Sequence, residues 1–156
     1  MTSPPKELYF EDYPVGQVVQ YGQYPITAEE IIEFASRYDP QPFHIDEDLA
    51  KDSPFGGLIA SGWMTGSVMM RLMVDHYISV ASSMGSPGLD EIHWLAPVRP
   101  GDVLSVRSTV LDARTSRSKP DRGMIWTAHE VLNQNGDVVM SVKGMGIYRR
   151  REAADT

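Results

Sequence analysis

From Ile31 to Tyr77 the apolar residues of this chain recur mainly at helical spacing, and from Leu89 to Tyr148 they fall into strand-like runs separated by turn residues. Ile31, Ile32, Phe34, Ala35 and Tyr38 make one stripe. It follows Thr27-Ala-Glu-Glu30, which has the form of a capping box: the Thr27 hydroxyl accepts from a first-turn amide while Glu30 reaches back. Pro40 disfavours helical geometry at Asp39, so this helix is expected to stop there. A second helix is expected from Gly62 to about Tyr77. Its Trp63, Met64, Val68, Met69, Met70, Leu72, Met73 and Val74 leave little polar surface before Arg71, Asp75 and His76, the pattern of a helix buried on nearly all sides.

Ahead of these helices, residues 1–16 read as an arm or loop, and Val18, Val19, Tyr21 and Tyr24 suggest a short strand over Gln17–Tyr24. Between the helices, Arg37 to Asp46 reads as a short loop stiffened by Pro40 and Pro42. Leu49-Ala-Lys51 reads as one helical turn with Asp46, Glu47 and Asp48 near its start, where the helix dipole favours them. Ser53 to Gly57 is a turn, and Ser82–Gly88 a loop. Four strands follow, at Leu89–Leu95, Val103–Leu111, Met124–Leu132 and Val138–Tyr148. Pro97 to Asp102 turns between the first two, Arg114–Arg122 is a polar loop, and Asn133-Gln-Asn-Gly136 is a hairpin turn between the last two. Glu152–Thr156 is expected to fray. This order predicts an α+β fold in which an antiparallel sheet curves to cover the buried helix.

At 156 residues the chain fits one domain. A net charge of -7 disfavours a polyanionic partner, so no nucleic acid is expected. With no cysteine, thiolate catalysis, disulfides and Cys-ligated zinc are excluded. The first residues have no apolar signal core, and Arg71 interrupts the most apolar helix well short of a membrane span. No membrane association is expected, and a cytoplasmic protein is the default.

The candidate chemistry lies between the two helices. Asp39 and His44 share one loop, five residues apart, and Gly62 opens the buried helix. An imidazole titrates near neutrality and suits a base; a neighbouring carboxylate can orient water or relay its proton. The N-terminus of a buried helix offers free amides to a developing negative charge. A metal site on His44, Asp46 and Asp48 is the weaker reading, because acids before Leu49 suit a helix start. Ser61 and Ser67 lack a nucleophile elbow. Met64, Met69, Met70, Met73 and Met84 suit core packing or a flexible acyl channel. Arg114, Arg117, Lys119 and Arg122 suit either phosphate contacts or a solvated hairpin tip. Arg149-Arg-Arg151 reads as a solvated tail, and His76, His93 and His129 as structural.

The run Phe34-Ala-Ser-Arg-Tyr-Asp-Pro-Gln-Pro-Phe-His44 resembles the hydratase motif of the MaoC-like dehydratases, which include the (R)-specific enoyl-CoA hydratases. The Asp, Pro and His stand at that family's spacing, with Tyr38 where the family has glycine and Gln41 where it has asparagine. Phe55-Gly-Gly-Leu-Ile-Ala-Ser-Gly62 is similar to the family segment ending in His-Gly, with Ser61 in place of the His; Pro97–Asp102 and Asn133–Gly136 also match. The resemblance implies a single hotdog domain over residues 1–156, with its core at about 8–150: a curved antiparallel sheet wrapped around a long central helix. It further implies a homodimer or dimer of dimers. The chemistry implied is reversible syn addition of water to a trans-2-enoyl-CoA, giving an (R)-3-hydroxyacyl-CoA. Asp39 and His44 would act on water, and the Gly62 amide on the thioester oxygen. Tyr38, Gln41, Ser61 and Trp63 are candidate substrate contacts. No cofactor is implied beyond the CoA of the substrate, and no metal. A hotdog thioesterase and a non-catalytic acyl-thioester binder are the rival expectations.

Overall fold

A computed structural model describes residues 7–151. The expected fray at Glu152–Thr156 and the first six residues of the expected arm lie outside the described residues. Phe10–Asp12 forms one 3-10 turn in the arm. The elements that follow are β1 (Val18–Pro25), α1 (Ala28–Tyr38), α2 (Pro42–Ile45), α3 (Glu47–Lys51), α4 (Gly62–His76), β2 (Gly88–Trp94), β3 (Val103–Thr115), β4 (Arg122–Leu132) and β5 (Val138–Arg149). The strands form one antiparallel sheet in the order β1-β3-β4-β5-β2. β2 and β3, adjacent in sequence, therefore lie apart in the sheet, and Pro97–Asp102 is the start of a crossover rather than a hairpin.

Alternation along the strands sets which face meets α4. Leu104, Val106, Ser108 and Val110 of β3 are buried, as are Ile125, Thr127, His129 and Val131 of β4 and Met140 and Val142 of β5. Against this face α4 sets Met64, Val68, Met69, Leu72 and Met73, forming one apolar core with Ile26, Ile31 and Val98. Each such side chain contributes roughly 1.5–3 kcal/mol when fully buried. At Gly22, in a register shift of β1, the backbone has φ +86°, and a Cβ would meet a Leu72 methyl at 2.7 Å. Glycine thus lets β1 come down onto the helix. A second cluster, Tyr13, Tyr77, Val110, Ile125 and Tyr148, closes the far end, where the Tyr13 hydroxyl donates to the Tyr77 carbonyl at 2.7 Å.

Several local expectations need correction. α4 is not buried on nearly all sides: Trp63, Met70 and Val74 are exposed. Arg37–Asp46 is not all loop, because Pro42, with its φ already helical, starts the turn α2. Only half of the capping box forms: Thr27 Oγ1 accepts from the Glu30 amide, while the Glu30 carboxylate takes the hydroxyl of Tyr24. Arg114 and Arg122 belong to strands rather than to a loop, and each pairs with an acid, Asp112 and Asp121. The arginines at the chain's end are not a free tail either. Arg150 pairs with Glu11 at 3.5 Å, and Arg151 with Asp12 while stacking over Tyr9. Among the described residues no helix is long and apolar enough to cross a membrane.

Candidate active site

α1 ends at Asp39, whose amide still donates to the Ala35 carbonyl at 2.8 Å while its own backbone leaves helical geometry. The side chain is thereby released from the helix surface. α2 then returns the chain inward and buries His44 to 5% exposure. The extended segment Leu58–Ser61 runs alongside: the Ile59 amide donates to the Phe43 carbonyl at 3.1 Å, and the Ala60 amide to Val98 at 2.8 Å. α2 is thus tied to the connection between β2 and β3 through the stretch that leads directly into α4.

His44 and Asp39 meet with Nε2 and Oδ2 3.3 Å apart. The other ring nitrogen, Nδ1, is 2.7 Å from the Ile59 carbonyl oxygen. A carbonyl only accepts, so Nδ1 carries a hydrogen, and the neutral ring presents its lone pair at Nε2. Both carboxylate oxygens of Asp39 are engaged: Gln41 donates to Oδ1 at 2.7 Å and Ser61 to Oδ2 at 2.8 Å. Burial pushes the Asp39 carboxyl up, but the donors Gln41 and Ser61 and the His44 ring outweigh it and hold it below its ordinary value. The pair is therefore an ionised carboxylate beside a ring whose basic nitrogen is fixed in direction.

Ser61 is fully buried, and besides holding Asp39 it accepts the Trp63 amide at 3.3 Å as the N-cap of α4. Its carbonyl takes the amides of Met64 and Thr65. Among the described residues the Gly62 N–H has no hydrogen-bond partner, so the one free donor at this helix start is the residue that lines the pocket. The space around Gly62 is closed on one side by an indole that sequence reasoning missed. Trp94 Nε1 donates to the Gly62 carbonyl at 2.9 Å, and a Cβ at position 62 would meet that nitrogen at 2.5 Å. Glycine is thus needed here to seat Trp94.

Asp39, Gln41, His44, Gly62 and Trp63 share one pocket of about 400 Å³, walled by Phe43, Phe55, Trp94, Leu95, Pro97 and Val98. Ser61 lies beneath it, bonded to Asp39. Tyr38 is not brought in: it is 63% exposed, turned toward Phe34 and Arg37 on a separate cleft. Asp46 is used as a helix cap, accepting the amides of Asp48 and Leu49. The basic hairpin tip at 116–121 stands at the far end of β3 from Val98 and is not part of the pocket lining. Trp94 was legible only as a strand residue, since nothing in a local pattern brings position 94 to position 62.

Residues 11–128 match the family model described as MaoC like domain. The chain is 40% identical to a MaoC-like dehydratase of known structure from Rhodospirillum rubrum, covering 94% of this chain and 99% of that one with a TM-score of 0.84. It is 25% identical to the 3-hydroxybutyryl-CoA dehydratase of Methylorubrum extorquens, over 86% of this chain and 84% of the relative. The R-hydratase PhaJ1 of Pseudomonas aeruginosa shares the fold, with a TM-score of 0.75 at 22% identity over 96% of this chain and 94% of that one.

Proposed function

This chain belongs to the MaoC-like domain family, whose architecture is an α+β hotdog-like fold, and from that membership we propose that it is an acyl-CoA hydratase/dehydratase. The reaction is reversible syn addition of water to a trans-2-enoyl-CoA, giving the (R)-3-hydroxyacyl-CoA. The observation that carries this reading is the 3.3 Å Asp39–His44 pair in one pocket with the unpartnered Gly62 amide. The name of one relative, a 3-hydroxybutyryl-CoA dehydratase, agrees in reaction class.

In the hydration direction Asp39 accepts a hydrogen bond from the hydrogen that the water keeps, and Nε2 of His44 takes the other as a proton while the oxygen adds to the β-carbon as hydroxyl. Electrons pass toward the thioester oxygen, where the Gly62 N–H and the α4 dipole stabilise the enolate. The protonated ring, held by Asp39, then returns a proton to the α-carbon. Because water and proton come from the same pair, they add to the same face, which is the syn outcome. Gln41 and Ser61 act through Asp39, as positioning residues. The full hotdog geometry, a sheet curved around α4, belongs to the same reading, as does a homodimer joined along the exposed edge strand β2.

A panel of trans-2-enoyl-CoAs of graded length and branching, followed by loss of the conjugated thioester absorbance, tests the proposal. Asp39→Asn and His44→Ala should each lower kcat by at least about two decades. Near-full activity in either variant removes that residue from the mechanism. Release of free thiol without hydration identifies a thioesterase instead, and binding without turnover identifies a carrier.

A further inference from the structure

Further along α4, beyond the Asp39–His44 pocket, lies a second cavity of about 460 Å³. Met69, Met70, Met73 and Val74 of α4 and Leu89 of β2 line it. In its wall β5 turns Gly144 and Gly146 toward the core, opposite Thr127 and Ile125 of β4. Two successive inward positions without side chains let Leu89 and Tyr148 lie directly against the strand, and the cavity opens beside them. Beside it β4 presents Thr127 and His129, polar groups in a wall that is otherwise apolar.

His129 is only 9% exposed. Its Nδ1 is 2.7 Å from the Ser108 hydroxyl, which is in turn 2.7 Å from the Tyr21 hydroxyl. Tyr21, Ser108 and Nδ1 thus form one chain of hydrogen bonds that holds the ring and occupies Nδ1. Burial pushes the ring's pKa down to about 4, which keeps it neutral. Nε2 makes no hydrogen bond among the described residues, yet it is not one of the side-chain atoms sealed from solvent without a partner. His129 lines the cavity, so Nε2 is the ring nitrogen left to face it, in a direction that the Ser108 bond fixes.

We propose that His129 Nε2, in the wall of this cavity, selects acyl chains that carry a hydroxyl group in their distal stretch. The inference rests on the acyl-thioester reading above. Met69 to Met73 stand seven to eleven residues past Gly62, roughly 10–16 Å along the helix, so the oxygen concerned is remote from the carbon that gains or loses water. A neutral oxygen fits better than a carboxylate, because one hydrogen bond in an apolar wall does not balance a buried charge. The methionines adapt to chain shape, while the oxygen fixes position.

Saturated acyl-CoAs, which cannot be hydrated, isolate this site from the chemistry. Calorimetric titration would compare a plain chain with isomers bearing one hydroxyl group at successive distal carbons. At least one isomer should bind roughly tenfold tighter than the plain chain. Its binding should also move the ¹⁵N resonance of His129 Nε2. In His129→Phe the preference should vanish, and in Ser108→Ala, which frees the ring to turn, it should shrink. Equal affinity for every isomer in the wild-type protein overturns the inference, as does a preference that survives in His129→Phe. Should the preference hold while no enoyl-CoA is hydrated, the reaction assignment fails and the site stands.

Discussion

At Asp39 the balance of forces can be changed one donor at a time. Ser61→Ala removes the hydroxyl at 2.8 Å, so the carboxyl should rise toward its ordinary value. The acid limb of the kcat/KM profile should then move to higher pH, and Gln41→Leu should act in the same sense. The depressed carboxyl also stabilises the fold at pH values above its unfolded pKa, an effect lost as pH falls through the lowered folded value. His129 works in a different window. Folded it titrates at about 4 and unfolded near 6.5, so between those values the unfolded chain binds the extra proton. Stability should fall as pH drops from about 6.5 toward 4, with a slope of up to ~1.4 kcal/mol per pH unit, read by urea unfolding. His129→Phe should flatten that slope. Asp39, His44 and Gly62 were legible because they stand in one ordered stretch. Ser61 as the support of Asp39 was not, since the bond joins positions 22 residues apart. His129 gave no sequence signal at all, because the bond that holds its ring joins positions 21 residues apart.

α4 and its contacts show what periodicity can convey. Its extent, Gly62 to His76, follows from the apolar run and the Ser61 cap, and the five strands follow from alternation. Which side of α4 stays exposed does not follow, because apolar residues occupy both faces. α2 was missed since four residues are too few to show a helical period, and Pro42 reads equally as a loop residue. The order of strands was hidden too: β2 pairs with β5, the last strand, across more than forty intervening residues. The fit between β1 and α4 is testable directly. Leu72→Ala should cost about 2–5 kcal/mol. Gly22→Ala should cost at least ~1 kcal/mol, from its positive φ and from the 2.7 Å approach to Leu72. The double variant should lose less than the sum, because shortening Leu72 relieves the clash that alanine introduces. Additive losses in denaturant unfolding would show that the contact is not the source of the strain.

For the whole molecule the proposed dimer turns on the exposed edge. β2 ends the sheet with an unpaired row of backbone groups, and Leu89, Trp94 and Leu95 lie exposed along it, with Met70 and Val74 exposed on α4. A second copy laid antiparallel on this edge would cover them. Sedimentation velocity should give a dimer at micromolar concentration, and Val74→Lys with Leu89→Lys should shift it toward monomer. A wild-type monomer would remove the edge-to-edge arrangement. The indole pair at the pocket offers one more use of the protein as it stands. Of the three tryptophans in the chain, Trp63 and Trp94 are in edge contact, with ring centroids 5.2 Å apart, both lining the pocket, while Trp126 lies under Arg114 on the sheet. Ultraviolet emission from this protein is therefore a built-in optical gauge of the pocket. With Trp126→Phe to remove the background, a thioester entering beside Gly62 should change the colour and intensity of the light, with no label attached.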